Sequence, residues 1–364
     1  VLGWVALGGA LLYGGAVLRS LLTRDLASSG YPSPEAAETE IEALAAAHPT
    51  LCQLQTIGAS TQGRPIRALR LRGRGRDGGE GAERPRLLVT AHIHAVEFVG
   101  SFVARAVARR LVEGYERDAG TADLLDRAEV WLVPLLNPDG ARRVWEKGGL
   151  TSLGGSRFTA RGVDPNRNFP YVELRGRRAW NSGRNRPGSA YYRGPQPLSE
   201  PECAALARLC RRERFCGAIN FHSFGCVVYM PALGDAAQAR ARHALEVFRG
   251  EFQWRQPRVR YRPVPERSAA ITGQLDAFLL AAFGTPSVTV EVSRPGWHVL
   301  KPDRIGSVFW IANPERPERW AENDVEATVH ALRALLERTC GRPCTPTHPE
   351  LGQAIPAEEG ARPQ

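Results

Sequence analysis

Residues 1–18, Val-Leu-Gly-Trp-Val-Ala-Leu-Gly-Gly-Ala-Leu-Leu-Tyr-Gly-Gly-Ala-Val-Leu, carry no charge, and Leu21 and Leu22 extend the apolar run past Arg19. A run of that length just crosses a bilayer or forms the core of an export signal. Residues 1–24 are therefore expected to be a hydrophobic membrane anchor or signal segment, with anchoring carried by residues 1–22; a buried helix is the plainer alternative. Arg19 and Arg24 favour a cytoplasmic C-terminal side by the positive-inside rule. Seven cysteines favour export instead. The expected location is membrane-anchored or secreted, with orientation open.

Beyond Tyr31 the pattern alternates between strand and helix periods. Ser33-Pro34-Glu35 opens a helix that runs to His48-Pro49. Strand-like stretches cover 51–57 and 66–71, and the glycine-rich charged segment 73–85 reads as a surface hairpin loop. Leu87 to Ala91 reads as a buried strand, 99–115 as a helix, and 130–136 as a strand closing on the turn Asn137-Pro138-Asp139-Gly140. Ser199-Glu200-Pro201-Glu202 has the spacing of a capping box before a helix to Arg212. Residues 218–221 and 287–292 read as strands, and 324–338 as an amphipathic closing helix. From Gly341 to Gln364 proline, glycine and charge dominate, which predicts a disordered tail. The expected architecture is α/β: one large domain over 31–340, with a mixed, mostly parallel twisted sheet and helices on both faces.

The chain has 364 residues, enough for a large core, and a net charge of +10. Of its 48 basic residues only Lys147 and Lys301 are lysines. No stacking aromatics accompany the arginines, so no nucleic-acid partner is expected, and the charge reads as a basic solvated surface. No Cys-x-x-Cys pair suggests a redox or zinc-ribbon site. Cys203 and Cys210 fall roughly 10 Å apart on one helix, too far to bridge. Cys340 and Cys344 are spaced to allow a small local disulfide; buried thiols are the default for the others.

The chemistry gathers at strand ends. His94 and Glu97 follow the strand at 87–91, His222 ends the next, and Glu291 ends another. Open α/β sheets place their sites beyond the carboxyl ends of strands. Two imidazoles and a carboxylate are a ligand set for one catalytic Zn2+ with a position left for water. A further carboxylate, Glu291, is then available as general base.

These segments, with Asn137-Pro-Asp-Gly140, Gly162-Val-Asp-Pro-Asn-Arg-Asn-Phe-Pro170, Tyr192-Arg-Gly-Pro195, Leu198-Ser-Glu-Pro-Glu202, His222-Ser223 and Thr289-Val-Glu291, occur in an order that resembles the zinc carboxypeptidases of the carboxypeptidase A type, the M14 family. The resemblance covers roughly residues 31–338. It implies one zinc ion held by His94, Glu97 and His222, and Glu291 as the carboxylate that moves a proton from water to the leaving amine. It implies that Asn166 and Arg167 grip the terminal carboxylate of a peptide or protein substrate, with Ser223 and Leu275 also binding substrate. Arg157 matches the arginine that stabilises the oxyanion, ahead of Arg142 and Arg143. Asp164 matches a carboxylate that orients His94.

Some positions depart from the family pattern. Ser268 stands where relatives have a tyrosine, and Tyr261 is a candidate replacement. Val96 and Pro165 replace the usual residues beside Glu97 and Asn166. Ala270, Leu275 and Thr289 imply an apolar pocket for the leaving side chain, whereas a shift of one residue would point Asp276 into it and select Lys or Arg. His92 and His298 read as structural. No prodomain of family size separates the apolar segment from Tyr31. Two other functions stay open: a silent module that grips C-termini, and a murein-peptide or deglutamylating hydrolase on the same fold.

Overall fold

The structure, a computed structural model, describes residues 13–15, 18, 25–75, 84–152, 154–171, 182–231, 239–264, 271–298, 301, 304, 307–339 and 342–357. Most of the apolar segment 1–24 lies outside them, as do Ser268, Ala270 and Cys340. Among the described residues no helix is long and apolar enough to cross a membrane.

One eight-stranded sheet organises the chain. Its strands are β1 (Cys52–Ala59), β2 (Pro65–Arg72), β3 (Arg86–Ala91), β4 (Glu129–Val133), β5 (Gly217–Ser223), β6 (Val227–Tyr229), β7 (Arg262–Pro263) and β8 (Ser287–Val292), in the spatial order β1-β2-β4-β3-β5-β8-β6-β7. The central strands β4, β3, β5 and β8 run parallel; β1 pairs antiparallel with β2, β2 with β4 and β6 with β8, while β6 and β7 are parallel. β2 and β3 do not pair with each other; β4 lies between them, so these two strands do not form the hairpin expected around 73–85, of which 76–83 lie outside the described residues.

Successive strand residues face opposite sides of the sheet. Leu87, Val89, Ile219, Val288 and Val290 enter one apolar cluster with helices α2 (Phe98–Gly114), α6 (Ala239–Arg255) and α9 (Pro317–Thr339). Leu88, Trp131 and Ala218 enter the other, with α5 (Pro201–Glu213) and α7 (Leu275–Phe283). The sheet is thus covered on both faces, which is why its central strands read as continuous apolar runs. Further helices among the described residues include α1 (Pro34–Ala47), α3 (Ala119–Arg127), α4 (Pro138–Glu146), α8 (Val308–Ala312) and α10 (Glu350–Gln353).

Local capping follows the sequence in two places and departs from it in one. Ser33 Oγ accepts from the Ala36 amide at 3.0 Å, and Asn137 Oδ1 from Gly140 at 2.9 Å. The capping box at 199–202 does not form: Ser199 Oγ serves Asn168, and Glu202 accepts from the Thr61 amide at 3.0 Å.

The tail differs from expectation over residues 342–357. Cys344 and Ile355 are buried. The Cys344 amide donates to Gly284 O at 2.7 Å, His348 N to Ala281 O at 2.8 Å, and Arg211 to Ile355 O at 3.0 Å. Its prolines and glycines shape a strap against α7 rather than leaving the segment unstructured. Cys52, Cys203, Cys210 and Cys226 are buried, unbridged thiols.

Candidate active site

The carboxyl ends of β3, β5 and β8 converge on one point. After β3 the chain turns sharply through His92, whose φ is 56°. The turn is held by Asn137 N to His92 O at 3.1 Å, Asn137 Nδ2 to Ile93 O at 3.2 Å and Val96 N to Ser156 O at 2.9 Å. Asn313 clamps it from α8's far end, accepting from the Val99 amide at 2.9 Å and donating to Val96 O at 2.7 Å. His94 and Glu97 are brought to one side, with Glu97 at the N-terminus of α2. Gly100 lets α2 approach β5: a Cβ there would meet Phe221 O at 3.0 Å.

His94 Nδ1 lies 2.7 Å from Glu97 Oε1 and 3.2 Å from His222 Nδ1, and His222 Nδ1 lies 2.9 Å from Glu97 Oε2. The three side chains are buried, offer ligand atoms within 4.8 Å of one another and could hold a metal ion. Glu97 Oε2 has no hydrogen-bond partner of proper geometry. Two imidazole nitrogens and an unsatisfied carboxylate oxygen facing a common point fit a divalent cation, since a buried polar atom without a partner is otherwise costly. On its other side His94 Nε2 lies 3.2 Å from Asp164 Oδ1. A proton there leaves the Nδ1 lone pair facing the cluster. Burial opposes ionisation of Glu97, but His94 and His222 outweigh it and hold the carboxyl well below its usual range.

Asp164 is fully buried at the start of the short turn Pro165–Arg167. Burial again opposes its charge, yet Arg157, Arg167 and His94 keep it ionised. Arg157 Nε donates to Asp164 Oδ2 at 2.9 Å, and its guanidinium comes within 2.8 Å of His94 Nε2. Arg143 and Arg142, the weaker oxyanion candidates, are engaged elsewhere. Arg143 donates to Gly155 O, Phe158 O and Thr159 O, and Arg142 pairs with Glu35 and Glu146. Arg167 is buried, and burial lowers its pKa to about 10. It donates to Asn166 O at 2.6 Å. Gly273, with φ of 79°, seals this pair: a Cβ there would meet Arg167 O at 2.2 Å.

Glu291 pairs in register with His222 across β5 and β8. Burial and then the charge of Glu97 push its pKa well above the usual carboxylate range, against Arg157 and Arg167. Ser223 is buried and its Oγ has no partner among the described residues.

The expected pocket is only partly as read. The Leu275 side chain joins the apolar cluster around Phe169 and Phe278, while its amide donates to Asn166 Oδ1 at 3.0 Å. The next residue, Asp276, faces the sheet and accepts from Asn220 Nδ2, Thr289 Oγ1 and, at 2.5 Å, Ser287 Oγ. Burial raises its pKa. Tyr261 is not a replacement for the missing phenol: it is buried, and its hydroxyl donates to Asp324 Oδ2 at 2.6 Å. His92 is a core histidine bonded to Ala95 O at 3.1 Å, and His298 bonds Trp310 O at 3.2 Å. Asn313 escaped the sequence reading, and Arg143 was read only as a weaker oxyanion candidate, because no local pattern marks a residue that clamps a distant turn.

Comparison with known proteins decides the family. The zinc carboxypeptidase family, the M14 peptidases, matches residues 37–304. This chain is an M14 zinc carboxypeptidase family member. Mouse carboxypeptidase A4 is 28% identical over 220 residues, covering 57% of this chain and 48% of the relative. A zinc carboxypeptidase of Saccharothrix mutabilis subsp. capreolus is 30% identical over 154 residues, covering 41% of this chain and 35% of the relative. The M14 chain thus spans about half the length, or less, of these curated relatives. Bovine thrombin-activatable fibrinolysis inhibitor, solved with a tick carboxypeptidase inhibitor, superposes with a TM-score of 0.65 at 18% identity, covering 85% of this chain and 99% of that one. Carboxypeptidase A of Helicoverpa armigera superposes with a TM-score of 0.63 at 16% identity, covering 91% and 80%. The M14 fold, one mixed sheet with helices, is shared with both.

Proposed function

We propose that this chain is a zinc metallocarboxypeptidase that hydrolyses the C-terminal residue from peptides or proteins. The observation that carries the reading is the convergence of His94, Glu97 and His222 within 4.8 Å, beside a register-paired Glu291. A zinc ion held by the three would supply Lewis acidity, bringing a water's pKa to about 7 and polarising the scissile carbonyl. Glu291 would move a proton from the attacking water to the leaving amine, a task that its register pairing with His222 supports. Arg167, with Asn166, receives the terminal carboxylate, for which a guanidinium fork is the matched donor. Arg157 directs its guanidinium toward the carbonyl oxygen as charge develops there. Asp164 holds Arg157 and orients His94. The unpartnered Ser223 Oγ is available to a substrate amide.

The specificity follows the sequence reading. Asp276 lies against Thr289, but its carboxyl group is buried and already accepts from Asn220, Ser287 and Thr289, so apolar leaving residues are favoured and Lys or Arg is the alternative. The uncharged run at 1–18 supports a place outside the cytoplasm, secreted or anchored.

The test is zinc content together with rates on peptides ending in Arg, Lys, Phe and Leu, with and without a chelator. One zinc per chain and chelator-sensitive release of the last residue are expected. Bound zinc with no turnover on any peptide would instead favour the silent module that grips C-termini.

A further inference from the structure

Tyr191 contacts both of the arginines to which the proposed reaction assigns the substrate. Its ring centroid is 5.3 Å from the Arg157 guanidinium carbon and 5.4 Å from that of Arg167, both within cation–π range. The two like charges are otherwise held near each other chiefly by Asp164. The ring's own place is fixed by backbone. Tyr191 O accepts from Arg184 N at 2.8 Å, and Arg184 O accepts from Arg193 N at 2.9 Å. Tyr192 O accepts from Asp164 N at 2.8 Å, which ties the tyrosine turn to the turn that carries Arg167.

We propose that Tyr191 is a positioning residue that sets the spacing between Arg157 and Arg167, and so the distance from the substrate's terminal carboxylate to its scissile carbonyl. The proposal rests on the carboxypeptidase reading above and deepens it. The face of an aromatic ring attracts a guanidinium without neutralising or capping it. Tyr191 therefore orients both cations while leaving their N–H donors to the substrate, which a carboxylate in the same place would not do. The arrangement is specific to a peptide with a free α-carboxylate one residue from the bond to be cut. It also supplies substrate positioning in a chain where Ser268 stands at the position relatives give to tyrosine.

The experiment compares Tyr191→Phe, Tyr191→Leu and Tyr191→Trp as zinc-loaded full-length protein, with melting temperature as a fold control. Phe keeps the ring and is expected within about two-fold of the parent in kcat and KM. Leu removes the π face and Trp enlarges the ring that both guanidiniums contact; each is expected to raise KM and lower kcat, with kcat/KM falling about 10- to 100-fold. A purely structural role would lower the melting temperature and leave KM of the folded fraction unchanged. In a double-mutant cycle Tyr191→Leu and Arg167→Lys are expected to be non-additive. Leu and Trp variants both within two-fold of the parent, or strict additivity with Arg167→Lys, overturn the proposal. A parent that cleaves no peptide overturns the carboxypeptidase reading itself, a different result from an active parent with indifferent variants.

Discussion

His222 on β5 and Glu291 on β8 are register partners on adjacent parallel strands. Register partners project to the same side of a sheet, so the backbone ladder itself sets a carboxylate beside a candidate ligand imidazole. No loop has to close to make that pairing. The proposed general base and one of the proposed ligands, His222, are then parts of one rigid sheet, which is where a site needs its geometry most firmly held.

Glu291→Gln is expected to keep the fold and the zinc content while lowering kcat about 10^3-fold, the range lost with a general acid–base group. Metal analysis and steady-state rates check this together. A variant with near-full activity would remove Glu291 from the mechanism.

Asp276→Leu is expected to leave the kcat/KM ratio of Arg- to Leu-ended peptides within about two-fold, because its carboxyl group is engaged by the sheet and not by the pocket. Competition between the two peptides reads the ratio directly. Hydrogen bonds from Asn220, Ser287 and Thr289 would lose their acceptor, so the melting temperature is expected to fall as well.

Asp324 gives a pH signature away from the site. It is buried under Tyr261, Gln256 and Asn323, and burial raises its pKa from 3.8 to about 6. The native state therefore holds this proton more tightly than the unfolded chain. Its contribution to stability is full below about pH 4 and is lost as pH rises through about 6, a change of at most about 3 kcal/mol. Urea midpoints for the parent and Asp324→Asn between pH 4 and 7 are expected to differ in slope, with the variant losing less stability over that window.

Much of the site was legible in the sequence because each element's contribution is local: a strand, then His94 and Glu97 three residues apart; a strand, then His222; a strand with Glu291 near its end. The α/β sheet was legible for the same reason, since strands buried on both faces stand out as apolar runs. What escaped is long-range. The rotation of α7, which puts Asp276 rather than Leu275 against β8, depends on where the helix starts after Gly273, and that start is fixed by contact with Arg167 and Asn166. The order of β2, β4 and β3 escaped because a glycine-rich connection looks alike whether it reverses or crosses over. Tyr261 offered a phenol of the right chemistry, but Asp324, 63 residues away, claims it.

The strap at 342–357 was misread because its composition is that of a loose tail. Ile355 is 4% exposed and shares an apolar cluster with α5 and α7. Ile355→Ala is expected to cost about 2–4 kcal/mol, the usual range for such a truncation in a core. Denaturant melts would show it, and an unchanged midpoint would return the segment to the status of a tail.

Arg143 has a consequence beyond its failure as an oxyanion candidate. By donating to the carbonyls of Gly155, Phe158 and Thr159, it knits together the backbone on either side of Arg157. The conformational entropy of shaping that segment is lost when the protein folds, not when a peptide arrives. A peptide bound as proposed would therefore spend none of its affinity on ordering that segment.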